Sequence, residues 1–192
     1  MGRNHWSFLF RLRILVVATL AVFCSKCCLS QSVEQEPAAV VELGGSLNRS
    51  FTENKSSVGP TIAVEFTPVK DRLELEVGLT SLFGHHSSEL SADVLFKKPW
   101  TLSPTKELML GIGPEWIHAS AYGVRTNAVG VEVAPDFMFW TSRKHRFGWY
   151  LEPGYDYKFG SGHEHSISLT AGFLIGVHRR PGGPNEMNPP PK

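Results

Sequence analysis

Between residues 41 and 177 apolar side chains recur at every second position. In Leu73-Glu74-Leu75-Glu76-Val77-Gly78-Leu79 each odd residue is apolar and each even one is acidic or glycine. Successive side chains of a strand point to opposite faces, so this period makes one face greasy and the other polar. The same alternation runs through Val41–Leu47, Ile62–Phe66, Leu90–Phe96, Leu108–Trp116, Val129–Phe139, Phe147–Phe159 and Ile167–Val177. Between these segments lie stretches rich in Gly, Pro, Ser, Asn or charge, at 48–57, 68–72, 84–88, 99–106, 119–127, 141–146 and 160–166. Connections this short join antiparallel neighbours. The pattern therefore predicts an all-β chain, an eight-stranded antiparallel up-and-down meander. An even strand count lets it close on itself and leave no edge.

The two faces differ sharply in content. The parity that contains the first residue of each segment holds Val, Leu, Ile, Phe, Trp and Tyr and no charged residue. The opposite parity holds ten carboxylates, Glu42, Glu65, Glu74, Glu76, Asp93, Glu115, Glu132, Asp136, Glu152 and Asp156, together with nine glycines and a single base, Lys158. A soluble barrel of the lipocalin kind would turn the first set inward. Eight strands enclose a space just wide enough for side chains, and the larger, aromatic-rich set would overfill it. The glycine-rich set fits. The expected fold is thus a transmembrane β-barrel, apolar on the wall and acidic in the lumen. Aromatics near segment ends, Phe66, Phe96, Trp116, Phe139, Trp140, Phe147, Trp149, Tyr157 and Phe159, match interfacial girdles. Pro114, Pro135 and Pro153 fall on the apolar parity of central strands, where a missing ladder donor predicts bulges.

Charge divides the chain further. The formal total is +1, but residues 1–30 carry Arg3, Arg11, Arg13 and Lys26 and no acid, leaving 15 basic and 18 acidic residues, a net of −3. That remainder has no basic footprint for nucleic acid. The basic stretch 1–13, the apolar run Ile14–Phe23 and the small-residue site at Cys28-Leu29-Ser30 have the layout of a cleaved secretory signal peptide. All three cysteines, Cys24, Cys27 and Cys28, lie within it, so the exported chain would carry no disulfide. The expected organisation is a signal peptide at 1–30, a lead-in at 31–40, the barrel at 41–178 and a disordered Pro-rich tail at 179–192.

With strand number, alternation and leader together, the region from Val41 to Val177 resembles the small eight-stranded outer-membrane β-barrels of bacteria, the group that includes the OmpA barrel domain and OmpX. The resemblance implies residence in the outer membrane of a Gram-negative envelope, with that membrane's lipid as the partner. It also implies that both ends are periplasmic, so the first, third, fifth and seventh connections face outward. Barrels of this group commonly end in an aromatic residue, whereas here the last strand gives way to His178-Arg179-Arg180 and a tail with five prolines.

Candidate chemistry is sparse. The lumen carboxylates require partners, and Lys158 with Arg49, Arg72, Lys97, Arg125 and Arg146 near strand ends are the candidates. A plugged lumen with an acid–base network and a narrow cation-preferring pore are both open readings. His85, His86, His118, His163 and His165 gather on the outward side, without the fixed spacing of a metal site. No metal site and no cofactor are expected. The clusters His85-His86-Ser87-Ser88-Glu89 and His163-Glu164-His165-Ser166 contain the residue types of a lipid A deacylase-like enzyme, which needs a serine hydroxyl within reach of an acid-oriented histidine. The favoured expectation is a non-enzymatic outer-membrane barrel with a structural or surface-interaction role. A lipid-modifying enzyme, the cation pore and a soluble ligand binder are the alternatives.

Overall fold

A computed structural model describes residues 36–52, 54–160 and 163–178 of the 192-residue chain. The expected signal peptide and Pro-rich tail lie outside the described residues. Within them the chain forms eight strands and tight turns and no helix: β1 Ala39–Ser50, β2 Lys55–Val69, β3 Leu73–Gly84, β4 Ser87–Ser103, β5 Lys106–Ala121, β6 Val124–Trp140, β7 Phe147–Phe159 and β8 Glu164–Val177. Each strand pairs antiparallel with the next, and β1 pairs with β8 from Ala39↔Val177 to Ser50↔Ser166, which closes the barrel. Strands of 12–17 residues exceed the roughly 9–11 that a tilted strand needs to cross a bilayer.

The faces fall as the alternation predicts. Leu43, Ile62, Val77, Phe96, Ile112 and Phe173 stand 40–57% exposed on the outer wall. The ten carboxylates all turn inward, Glu74 and Glu132 half-buried and the other eight buried. A soluble barrel with apolar residues inside is overturned by this register. A wall of side chains this greasy and this uncovered suits hydrocarbon, and the closed ladder satisfies the backbone there. Aromatics stack on the wall: Phe139 on Trp149 at 4.0 Å, Phe147 on Phe173 at 5.7 Å, and Tyr157 edge-on to Phe159 at 5.0 Å. Trp140 departs from the expected girdle, because its parity carries it inside, where it is 5% exposed.

The strands are longer and the connections shorter than the hydropathy pattern indicates. β2 starts seven residues earlier than Ile62, since Val58 and Pro60 extend the outward-facing series through residues that look like turn chemistry. The connection between β5 and β6 shrinks to Tyr122-Gly123, both with positive φ, 51° and 80°. Two left-handed residues in a two-residue hairpin match the twist of the flanking strands.

The expected bulges at the prolines are absent. Pro114 pairs with Val131 and Pro135 with Leu110 in unbroken register. Across β6 and β7 the register runs through Val133↔Tyr155 and resumes in phase at Phe137↔Leu151, which sets Pro135 opposite Pro153. Register shifts occur instead beside turns, between Phe66 and Val69 and between Thr101 and Ser103. The prolines are absorbed because their rings face outward and two of them spoil the same rung, so no residue has to be inserted.

Candidate functional site

The lumen has three storeys, counted from the end that carries the start of β1 and the finish of β8. The first is an apolar plug of Val40, Met109, Met138, Trp140, Tyr150 and Leu174, none more than 8% exposed. His145, left-handed at φ 44° in the connection between β6 and β7, folds under it and stacks on Trp140 at 4.6 Å and 3°. The His145 Nε2 donates to the Pro104 carbonyl at 3.0 Å, and Trp140 Nε1 donates to Glu107 Oε2 at 3.2 Å. The indole N–H of Trp140 and the ring nitrogen of His145 that faces Pro104 are thereby tied to partners.

The second storey is a carboxylate cluster around Lys97. This lysine is fully buried and reaches Asp136 Oδ2 at 3.1 Å, Glu152 Oε2 at 2.9 Å and the Glu76 carboxylate. Room for its stem comes from Gly111, where an added Cβ would lie 3.0 Å from Lys97 Cγ. Glu42, Glu65, Glu76 and Asp136 each bring one carboxylate oxygen to within 4.8 Å of the others. Both oxygens of Glu65, Oε1 of Glu42 and Oδ1 of Asp136 are buried without a hydrogen-bond partner. Glu74 stands to one side, across from Lys97 in the β3–β4 register.

The third storey is a cup of about 600 Å³, counting the part open to solvent, at the far end of the barrel. Its wall includes Asp93, Glu115, Glu132, Glu152 and Asp156, and its floor meets the second storey at Glu42 and Glu76. Asp156 Oδ2 accepts from Asn48 Nδ2 at 3.3 Å and from Ser166 Oγ at 3.1 Å. Lys158 spans the cup to Glu89 at 2.8 Å and lies 3.9 Å from Glu164.

The structure thus gathers the sequence's ten carboxylates into one lumen but distributes them unequally. Of the expected basic partners Lys97 and Lys158 enter it. Arg49, Arg72, Arg125 and Arg146 are exposed instead, Arg49 donating outside the barrel to Ser56 Oγ at 2.9 Å and Asn54 Oδ1 at 2.5 Å. Strand ends here project past the lumen, and an arginine on the outward parity cannot turn back through the wall. Glu107 and His145, which seal the plug, were not legible as lumen residues, because both sit in or beside stretches of turn character.

The serine–histidine clusters do not assemble. His165 and Ser166 are neighbours on β8 and therefore face opposite ways: Ser166 bonds Asp156 inside, while His165 Nδ1 shares a 2.5 Å hydrogen bond with Tyr155 Oη on the wall. His163 Nδ1 likewise pairs with Tyr157 Oη at 2.6 Å. His85 packs edge-on to His86, whose ring lies 5.9 Å from that of Tyr122.

No protein-family model matches the chain, and no curated protein matches it in sequence. Among solved structures the barrel is similar to Neisserial surface protein A, with a TM-score of 0.62 and 15% identity, covering 75% of this chain and 100% of that one. It is also similar to the outer membrane protein OprG from Pseudomonas aeruginosa, with a TM-score of 0.56 and 8% identity, covering 77% and 100%. At such identities the likeness is one of fold: a closed, eight-stranded transmembrane barrel.

Proposed function

We propose that this chain is a non-enzymatic outer-membrane barrel, exported through a cleaved signal peptide, with a structural or surface-interaction role. The observation that carries the reading is the unbroken apolar wall around a lumen stopped at one end by Trp140 and its neighbours. A wall of this kind needs lipid, and a stopped lumen favours a scaffold over a conduit. The similarity in fold to a surface protein and to an outer membrane protein supports the location. With both chain ends periplasmic, the open cup and the His/Tyr rim around Tyr122, Tyr155 and Tyr157 face outward. Connections as short as two residues then make the rim itself the surface offered to a partner.

The test is the migration of detergent-extracted protein on a denaturing gel with and without boiling. A closed barrel migrates faster before heating. Recovery of the protein in the soluble periplasm, without detergent and with no heat-dependent shift, would overturn the reading.

A further inference from the structure

The second storey of the lumen carries more charge than its side chains can neutralise. Glu42, Glu65, Glu76, Asp136 and Glu152 surround a single ammonium, that of Lys97. Lys97 occupies Oδ2 of Asp136, Oε2 of Glu152 and the Glu76 carboxylate, and leaves Asp136 Oδ1, Glu42 Oε1 and both oxygens of Glu65 without partners. Glu65 is 1% exposed and Asp136 0%. Buried carboxylate oxygens in that condition are strongly unfavourable unless something else binds them.

Their arrangement indicates what that is. Four carboxylates on β1, β2, β3 and β6 present one oxygen each within a sphere where no two are more than 4.8 Å apart. Lys97 accounts for the approach of Glu76 and Asp136, but it forms no ion pair with Glu42 or Glu65, which converge on the same point with oxygens that have no partner. Oxygen ligands of Ca²⁺ lie at 2.3–2.6 Å, so ligands on opposite sides of the ion are separated by about 4.6–5.2 Å. The smaller Mg²⁺ sphere, at 2.0–2.1 Å, brings opposed ligands to about 4.0–4.2 Å and usually retains several waters. All four donors are hard oxygens, with no thiolate or imidazole among them, which selects against the softer transition metals. Glu65, with both oxygens free, can bind in bidentate fashion.

The geometry points to a Ca²⁺ site formed by Glu42, Glu65, Glu76 and Asp136 at the floor of the cup. The ion enters through the mouth: Glu42 and Glu76 belong both to the cup's wall and to the converging group, so the cavity leads to the site. Asp93, Glu115 and Glu132 line the approach and concentrate cations along it. A divalent ion cancels two charges at once in a cluster where carboxylates outnumber ammonium five to one.

The experiment uses the full chain refolded in detergent micelles, checked by heat-modifiable migration, and titrated calorimetrically with calcium chloride and, separately, magnesium chloride. One Ca²⁺ per barrel is expected, with weaker Mg²⁺ binding and a calcium-dependent rise in unfolding temperature. Glu65→Gln should weaken Ca²⁺ binding at least about tenfold, whereas Glu36→Gln, which removes only an ion pair with Lys70 ahead of β1, should retain it. Absence of saturable binding to the wild-type barrel would overturn the site and assign the cluster's neutralisation to protons. Unchanged binding in Glu65→Gln, or loss in Glu36→Gln with retention in Glu65→Gln, would overturn it as well. Where Glu65→Gln does not refold, Asp136→Asn and the wild-type isotherm decide by the same criteria.

Discussion

Each half of the lumen contains several carboxylates and one lysine, yet the two halves have opposite physical characters. Lys97 lies between the plug and the floor of the cup and touches three carboxylates with no solvent at its side chain. Lys158, 15% exposed, spans an open cup to Glu89, itself 22% exposed. The sequence alternation that produces the two is identical. What separates them is depth: Lys97 lies beneath the floor of the cup, between the apolar plug and the carboxylates that cap it, where no water shares its charge. The same ion pair is strongly coupled in a dry medium and weak beside water, so position along the barrel axis, not composition, fixes what each lysine does.

The sharpest way to break the contrast is Lys97→Met. It leaves three carboxylates buried beside an apolar stem, and removing one partner of a buried ionic group costs about 3–5 kcal/mol. Urea unfolding in micelles should show that loss, and a stability within 1 kcal/mol of wild type would mean that the lower lumen is wet. Ile112→Arg tests the wall that both halves share, since Ile112 is 55% exposed near the middle of β5. An arginine facing lipid near the midplane should cost about 2–4 kcal/mol, and unimpaired folding in bilayers would reverse the assignment of faces. Lys158→Met should cost no more than about 1 kcal/mol, because its partners remain hydrated. A loss there equal to that of Lys97→Met would erase the distinction between the halves. Arg49→Ala, outside the lumen, should stay within about 0.5 kcal/mol of wild type. Planar-bilayer recordings complete the series: wild-type protein should give a flat trace, and steady conductance would show that the plug does not hold.

Much of this architecture is readable from the sequence. Period two identifies the eight strands and their inner and outer faces because every strand lies between the same two media. The limits of the strands are less readable, as at β2, where Ser56, Ser57 and Pro60 have turn chemistry yet continue the alternation. Lys97 illustrates what hydropathy omits. It lies one residue past Phe96, beside Lys98 and Pro99, and its local context is that of a chain leaving a strand. Only the registers β3–β4 and β4–β5, which place it across from Glu74 and Gly111, show that it points inward and has room there. The arginines mislead in the opposite sense: closeness to a strand end in sequence does not bring a guanidinium within the ring of strands. Convergence of Glu42, Glu65, Glu76 and Asp136 is likewise a property of stagger between strands, to which a single strand's pattern is blind.

The facing pair Pro135 and Pro153 bears on how such a cylinder comes apart. Neither residue has an amide hydrogen, so at this rung neither can donate across the β6–β7 boundary. Concentrating both losses at one height spares the neighbouring rungs. It also gives a ring without ends a seam. Amide exchange that begins on either side of Pro135 and Pro153, ahead of the β1–β8 closure, is the signature of a barrel that unzips from its own middle.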